Sequence, residues 1–154
     1  MFRRILVATD GSGGAMKAVA AAGELASVGH GELYVLNVFD AREISSMRDR
    51  GPREYARAEH LQGDHAEAKG ILSEDILAAA KTIVAQYRGV VSTFVSLEGD
   101  AAAEILRYAE QVRADTIVLG SRGRGRLAGL LLGSVSQKVA SLARQATMIV
   151  PDGR

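Results

Sequence analysis

The sequence predicts an α/β domain built on a parallel sheet with helices on both faces. Three observations predict it. Short, continuous apolar runs rich in Val, Ile and Leu recur along the chain, as buried strands require. Between them lie stretches whose apolar residues fall at helical spacing. The two kinds of segment alternate, which is the pattern of βαβ units rather than of an antiparallel sheet.

The elements follow in order. Ile5-Leu6-Val7-Ala8-Thr9 is the first strand; Asp10-Gly11-Ser12 ends it, and Ser12 is placed to cap the next helix. That helix runs from Gly14 to Val28 on a stripe of Ala15, Ala18, Val19, Ala22, Leu25 and Ala26, and Gly29-His30-Gly31 stops it. Leu33 to Phe39 is the second strand. Residues 40–65 break the rhythm: crowded with Arg, Asp and Glu around Gly51-Pro52, they read as a solvated, variable loop with some helical turns. Helical periodicity returns over 66–87 through Leu72, Ile76, Leu77, Ala80 and Ile83/Val84. Val90 to Leu97 is the third strand, and Gly99-Asp100 leads into a helix over about 101–113 with Ile105, Leu106 and Ala109 inward. Thr116 to Leu119 is the fourth strand, Ser134 to Leu142 a helix, and Thr147 to Val150 a fifth strand closed by Pro151.

Composition narrows the function. A chain of 154 residues is expected to form a single domain over 1–154 with a real core. A net charge of +1 gives no support for a nucleic-acid or membrane-surface binder, and no apolar stretch approaches a membrane span. Without cysteine there is no thiol catalysis, disulfide or zinc-thiolate chemistry. With no signal pattern before the first strand, the cytoplasm is the expected location. Charge is unevenly placed, however. From Thr116 to Pro151 there are five basic residues (Arg122, Arg124, Arg126, Lys138 and Arg144) and no acidic one, a local field suited to a discrete anion.

That field coincides with Gly120-x2-Gly123-x9-Gly133-Ser134, a glycine-rich loop running from the fourth strand into a helix. Glycines let the backbone approach an anion, the first helical turn offers unpaired N–H groups, and guanidinium groups add charge-assisted bonds. The loop is a phosphate-binding candidate, to which the Ser134 and Ser136 hydroxyls contribute either as phosphate ligands or as helix caps. The polar turn Thr9–Ser12 also leaves the carboxyl end of a strand, so both loops meet at one sheet edge if strands 1 and 4 are neighbours. There Asp10 either accepts from ribose hydroxyls, or holds a metal beside phosphates, or merely bonds the backbone of Ser12 to form the turn. Val38, at the end of strand 2, either presents its backbone to a base edge or packs in the core. Gly123-x-Gly125-x-x-Ala128 fits a dinucleotide fingerprint only loosely, since no helical pattern follows it directly. No Gly-Lys-Ser/Thr loop, nucleophile elbow or Ser-His-Asp pattern is present, and His30, His60 and His65 lack metal-ligand spacing.

Taken together these segments resemble the universal stress protein family nearly end to end. Residues 5–12 resemble its opening strand and turn, and residues 114–123 its fourth strand and loop entry. Gly133-Ser134-Val135 completes its G-x2-G-x9-G-[ST] signature, and Met148-Ile149-Val150-Pro151 resembles its closing strand; residues 40–65 match poorly. The resemblance implies a Rossmann-like open sheet of strand order 3-2-1-4-5, a homodimer formed through the last strand (Met148, Ile149, Val150), and binding of ATP, with or without Mg2+. It implies that Asp10 contacts ribose and the Val38 backbone adenine, while Gly120, Arg122, Gly123, Gly133, Ser134 and Val135 surround the phosphates. Thr9, Ser121, Arg124 and Ser136 complete the candidate set. No catalytic residues are implied. The expected function is a nucleotide-dependent regulator in stress response; the alternatives are a slow Mg-dependent ATPase and a partner-binding module, docking through residues 40–65 or Leu127–Leu132, in which nucleotide is incidental.

Overall fold

The computed structural model describes residues 2–40, 65–123 and 132–152. The elements are β1 (Arg4–Ala8), α1 (Gly13–Gly29), β2 (Glu32–Phe39), α2 (His65–Val84), β3 (Val91–Glu98), α3 (Ala101–Gln111), β4 (Thr116–Gly120), α4 (Ser134–Leu142) and β5 (Ala146–Val150). All four strand pairings are parallel, in the order β3-β2-β1-β4-β5, so the expected five-stranded sheet is present. Ile5 sits opposite both Leu33 of β2 and Thr116 of β4, which fixes β1 at the centre. Of the charged 40–65 loop only Asp40 and His65 fall within the described residues, and Arg124, Arg126 and residues 127–131 lie outside them.

Burial explains why the strands read as unbroken apolar runs. Every residue of β4 is buried, and Ile5, Leu6 and Val7 of β1 are fully enclosed. Because successive side chains point to opposite faces, Ile5 and Val7 join Val19, Ala22, Val35 and Val118 beneath α1 and α2. Leu6 instead joins Leu36, Ile105, Ile117, Leu119 and Val139 beneath α3 and α4. The outer strand β3 alternates between exposed and half-buried positions, with Val91 well exposed, as an edge permits.

Two helix ends differ from the expectation. α2 stops at Val84 rather than continuing to residue 87: Gln86 and Tyr87 donate to carbonyls only three residues back, which tightens the final turn. The released Tyr87 ring then packs on Gly23 of α1, where a Cβ would approach it to 2.5 Å. α3 ends at Gln111, two residues before Arg113 turns to a positive φ of 53°.

The start of β1 is fastened to β4 by one carboxylate. Asp115 Oδ2 accepts from the backbone N–H of Arg3 at 2.7 Å and of Arg4 at 2.8 Å. Those two bonds, that of Arg4 foremost, hold the carboxyl below its ordinary value of 3.8. A depressed folded-state pKa contributes stability above the unfolded value that is lost as pH falls through the folded one. Asp115→Ala is therefore expected to be less stable than the natural chain at neutral pH. The gap should close on acidification below about pH 4, measured by urea unfolding across pH.

Candidate functional site

Strand order reverses between β1 and β4: from β1 the chain proceeds to β2 on one side, while β4 and β5 lie on the other. The loops leaving these two strands diverge, and a crevice opens at their carboxyl ends. A cavity of about 290 Å³ occupies it, near the lower end of the range for small-molecule sites. Thr9 and Asp10 line it from the first loop, Asn37 to Asp40 from the end of β2, and Gly120, Arg122 and Gly123 from the second loop. Ser134, Val135 and Ser136 enter from α4, with Leu72, Ser73 and Ile76 of α2 and Ala101 and Ile105 of α3 completing the walls.

The turn after β1 is built from its own side chains. Thr9 Oγ1 accepts from the Gly11 N–H at 3.2 Å, and Asp10 Oδ1 from the Ser12 N–H at 2.9 Å, while Gly11 takes the positive φ of 82° that the turn requires. Ser12 caps α1 through the Ala15 N–H, as its sequence position suggests. Asp10 is thus a turn-former through one carboxylate oxygen. The other lies toward the second loop, where a Cβ on Gly123 would stand 2.6 Å from Asp10 Oδ2.

Val38 gains its place from register. β1 follows β2 only as far as Leu36, whose carbonyl accepts from the Thr9 N–H at 2.9 Å. Backbone groups two residues on point the same way. The N–H and C=O of Val38 therefore face the side that β1 has already left, where the cavity opens. Phe39, of opposite parity, accepts from the Gly99 N–H on the β3 side.

The second loop closes on itself at the mouth of α4. The Gly133 N–H donates to the Ser121 carbonyl at 2.7 Å, and the Ser121 N–H to the Val150 carbonyl at 2.8 Å. Ser121 and Gly133 thereby hold the loop's two ends together without lining the cavity themselves. Two expectations for the serines are corrected. Ser134 does not cap the helix: the N-cap is Gly133, and no side chain makes a cap bond. The Ser136 hydroxyl donates its single proton to the Gly120 carbonyl at 2.7 Å, so only its backbone N–H is left for an anion.

The result is electrostatically lopsided. α1 is capped by Ser12 and α3 by Asp100, whereas α4 begins at the cavity, which Ser134, Val135 and Ser136 line, with no side-chain cap. Arg122 lies beside them, and its Nε is buried with no hydrogen-bond partner among the described residues. A guanidinium donor without a hydrogen bond, next to an uncapped helix start, suits an oxyanion.

Sequence reasoning passed over three residues here. Asn37 interrupts an otherwise apolar strand, and Ser73 interrupts the apolar stripe of α2; both are buried against the cavity. The Asn37 Nδ2 donates to the Thr9 carbonyl at 2.8 Å, and Ser73 Oγ donates to Asn37 Oδ1 at 2.7 Å and pairs closely with Ser96. A polar residue breaking each pattern was the available signal. The third is Asp152, which sits beside Arg122 and which nothing in the local pattern marks.

The family model for the universal stress protein family matches residues 1–151. The chain belongs to this family. Among curated universal stress proteins it is similar to YxiE of Bacillus subtilis, 35% identical over 152 residues that cover 97% of this chain and 99% of YxiE. Among solved structures it is similar to that of MJ0577, at 27% identity and a TM-score of 0.71 over 100% of this chain and 99% of that one. A universal stress protein from Archaeoglobus fulgidus, solved in complex with dAMP, shares the fold at 20% identity and a TM-score of 0.67, covering 96% and 97% of the two chains. This universal stress protein carries its cavity at the β1/β4 edge of the sheet.

Proposed function

We propose that this chain binds ATP at the β1/β4 crevice and acts as a nucleotide-dependent regulator in stress response. The observation that carries the reading is the uncapped start of α4 beside Arg122, whose Nε makes no hydrogen bond among the described residues, at the closed neck of a glycine loop. In this assignment the N–H groups of Ser134, Val135 and Ser136 and the Arg122 guanidinium hold phosphate oxygens. Gly123 and Gly133 keep the approach clear of Cβ atoms, Gly120 lets β4 meet the start of α1, and Ser121 holds the neck closed. Asp10 Oδ2 accepts from ribose hydroxyls, and the Val38 backbone reads the adenine edge. Thr9 serves through the turn it stabilises, and Arg124 adds charge from the same loop. The dAMP complex of a protein of this fold supports an adenine nucleotide as the ligand.

We favour a regulator over an ATPase: among the described residues lining the cavity the acids are Asp10 and Asp40, and neither histidine nor lysine is present. Among the described residues, no group of three or more His, Asp or Glu is arranged to hold a metal, so Mg2+ would enter on the triphosphate. No helix among the described residues is long and apolar enough to cross a membrane, and we place the protein's action in the cytoplasm. The test is equilibrium binding of ATP to the purified protein. Saturable binding with a dissociation constant below millimolar is expected, and no binding up to millimolar ATP ends the reading.

We further propose a homodimer through β5. The Val150 carbonyl points inward to Ser121, so by alternation the N–H and C=O of Ile149 point outward along the open edge. Ile149→Pro removes an outward donor while sparing the bonds to β4. Light scattering is expected to show a dimer for the natural chain and a monomer for the variant; a dimeric variant moves the interface elsewhere.

A further inference from the structure

The segment after β5 brings an acid to the phosphate loop. Pro151 ends the strand, and Asp152 then lies across the start of α1, with its backbone carbonyl accepting from Lys17 Nζ. Its Oδ2 stands 3.4 Å from Arg122 Nε. Its Oδ1 rests against Gly14, where any Cβ would overlap it. The ion pair is close, yet it falls outside hydrogen-bond geometry: Arg122 Nε and Asp152 Oδ1 are both buried and both lack a hydrogen-bond partner among the described residues. Arg122 lines the cavity and Asp152 does not.

We propose that Asp152 is a built-in counter-anion that competes with nucleotide phosphate for Arg122, and so sets how strongly the site favours a long phosphate chain. The proposal rests on the reading of the crevice as a nucleotide site. A carboxylate that holds a guanidinium by charge, without making the hydrogen bond, leaves the donor open to a better-placed oxygen. Phosphate can supply that oxygen, but Arg122 must give up Asp152 to take it. Both side chains are about one-third exposed, so the pair is weak and the exchange is within reach of a ligand's binding energy. The cost falls on ligands whose phosphates reach Arg122 and spares adenosine. By reciprocity, bound ATP loosens the 151–152 segment from α1.

The experiment measures dissociation constants for ATP, AMP and adenosine by calorimetry with the full chain. Asp152→Asn keeps the shape and removes the charge; it should tighten ATP about two- to fivefold, AMP less, and leave adenosine unchanged. Gly14→Ala keeps the charge and removes the seat; it should tighten ATP in the same sense. In an Arg122→Ala background, Asp152→Asn should have no effect on ATP. If the tightening persists without Arg122, or if Asp152→Asn weakens ATP, competition for Arg122 is overturned. If all the ligands bind and Asp152→Asn changes nothing, this inference fails while the nucleotide reading stands. If neither ATP nor adenosine binds the natural chain, both fall.

Discussion

Gly133→Val is expected to raise the dissociation constant for ATP about 100-fold or more while leaving the fold intact. Gly133 adopts φ −71° and ψ 160°, a conformation open to any residue. A Cβ there would lie 3.4 Å from Arg122 Cα, 3.6 Å from the Gly123 nitrogen and 3.7 Å from the Ser121 carbonyl oxygen, close but tolerable contacts. The N–H bond to Ser121 does not involve the side chain and survives. What the variant cannot keep is the clear space between the loop neck and the start of α4, because the branched methyls stand where a phosphate would approach. Two charge-assisted hydrogen bonds lost at about 1.5–3 kcal/mol each, with roughly 1.4 kcal/mol per factor of ten, give the expected magnitude. Calorimetry measures the affinity, and an unaltered urea midpoint shows that folding is spared. An unchanged affinity would put the phosphates somewhere other than the α4 terminus.

Gly120→Ala is expected to act on the opposite quantity, destabilising the protein by about 2–3 kcal/mol. A Cβ at Gly120 would meet the Gly14 carbonyl carbon at 2.9 Å and the Ala15 nitrogen and Gly14 oxygen at 3.0 Å. These are backbone atoms of α1, so no rotamer change relieves the overlap. The helix must lift from β4, and with it Ala18, Val19 and Ala22, which pack against Val118. In urea the midpoint should fall by about 1 M or more, at the slopes usual for small domains. A shift below about 0.3 M would mean that α1 and β4 have slack between them. The two glycines belong to one motif, yet in the proposed site one guards the space for a ligand, while the other guards the contact between a strand and a helix.

Much of the fold was legible in the chain because its signals are local. The apolar runs of β1 and β4 are continuous because both faces of those strands are covered, and the α1 stripe falls at helical spacing because one face is buried. Ser12 and Asp100 stand before helices, and both cap them. Element ends were less legible. Nothing near Val84 announces that the chain will tighten there and turn Tyr87 onto Gly23, since the partner is about sixty residues away. The site divides the same way: its glycines and arginines were visible as a pattern, whereas the assignments of its hydroxyls were not. Ser134 has the right residue type for a cap and Gly133 takes the place; Ser136 has the right type for a phosphate ligand and its proton goes to Gly120.

By itself, then, the amino-acid order determined the strand–helix alternation, the sheet's parallel character, the family, and the location of a cationic glycine loop after the fourth strand. Tertiary structure alone decided which polar groups are spoken for and which stand open. It turned the Val38 backbone toward the crevice by ending β1 early, locked Asn37 to Ser73 and Thr9, and carried Asp152 back to Arg122 across thirty positions of chain. The reason is physical: periodicity and capping arise among residues within a few positions of each other. A buried donor takes whichever acceptor the packed chain delivers, and that delivery depends on contacts far apart in sequence.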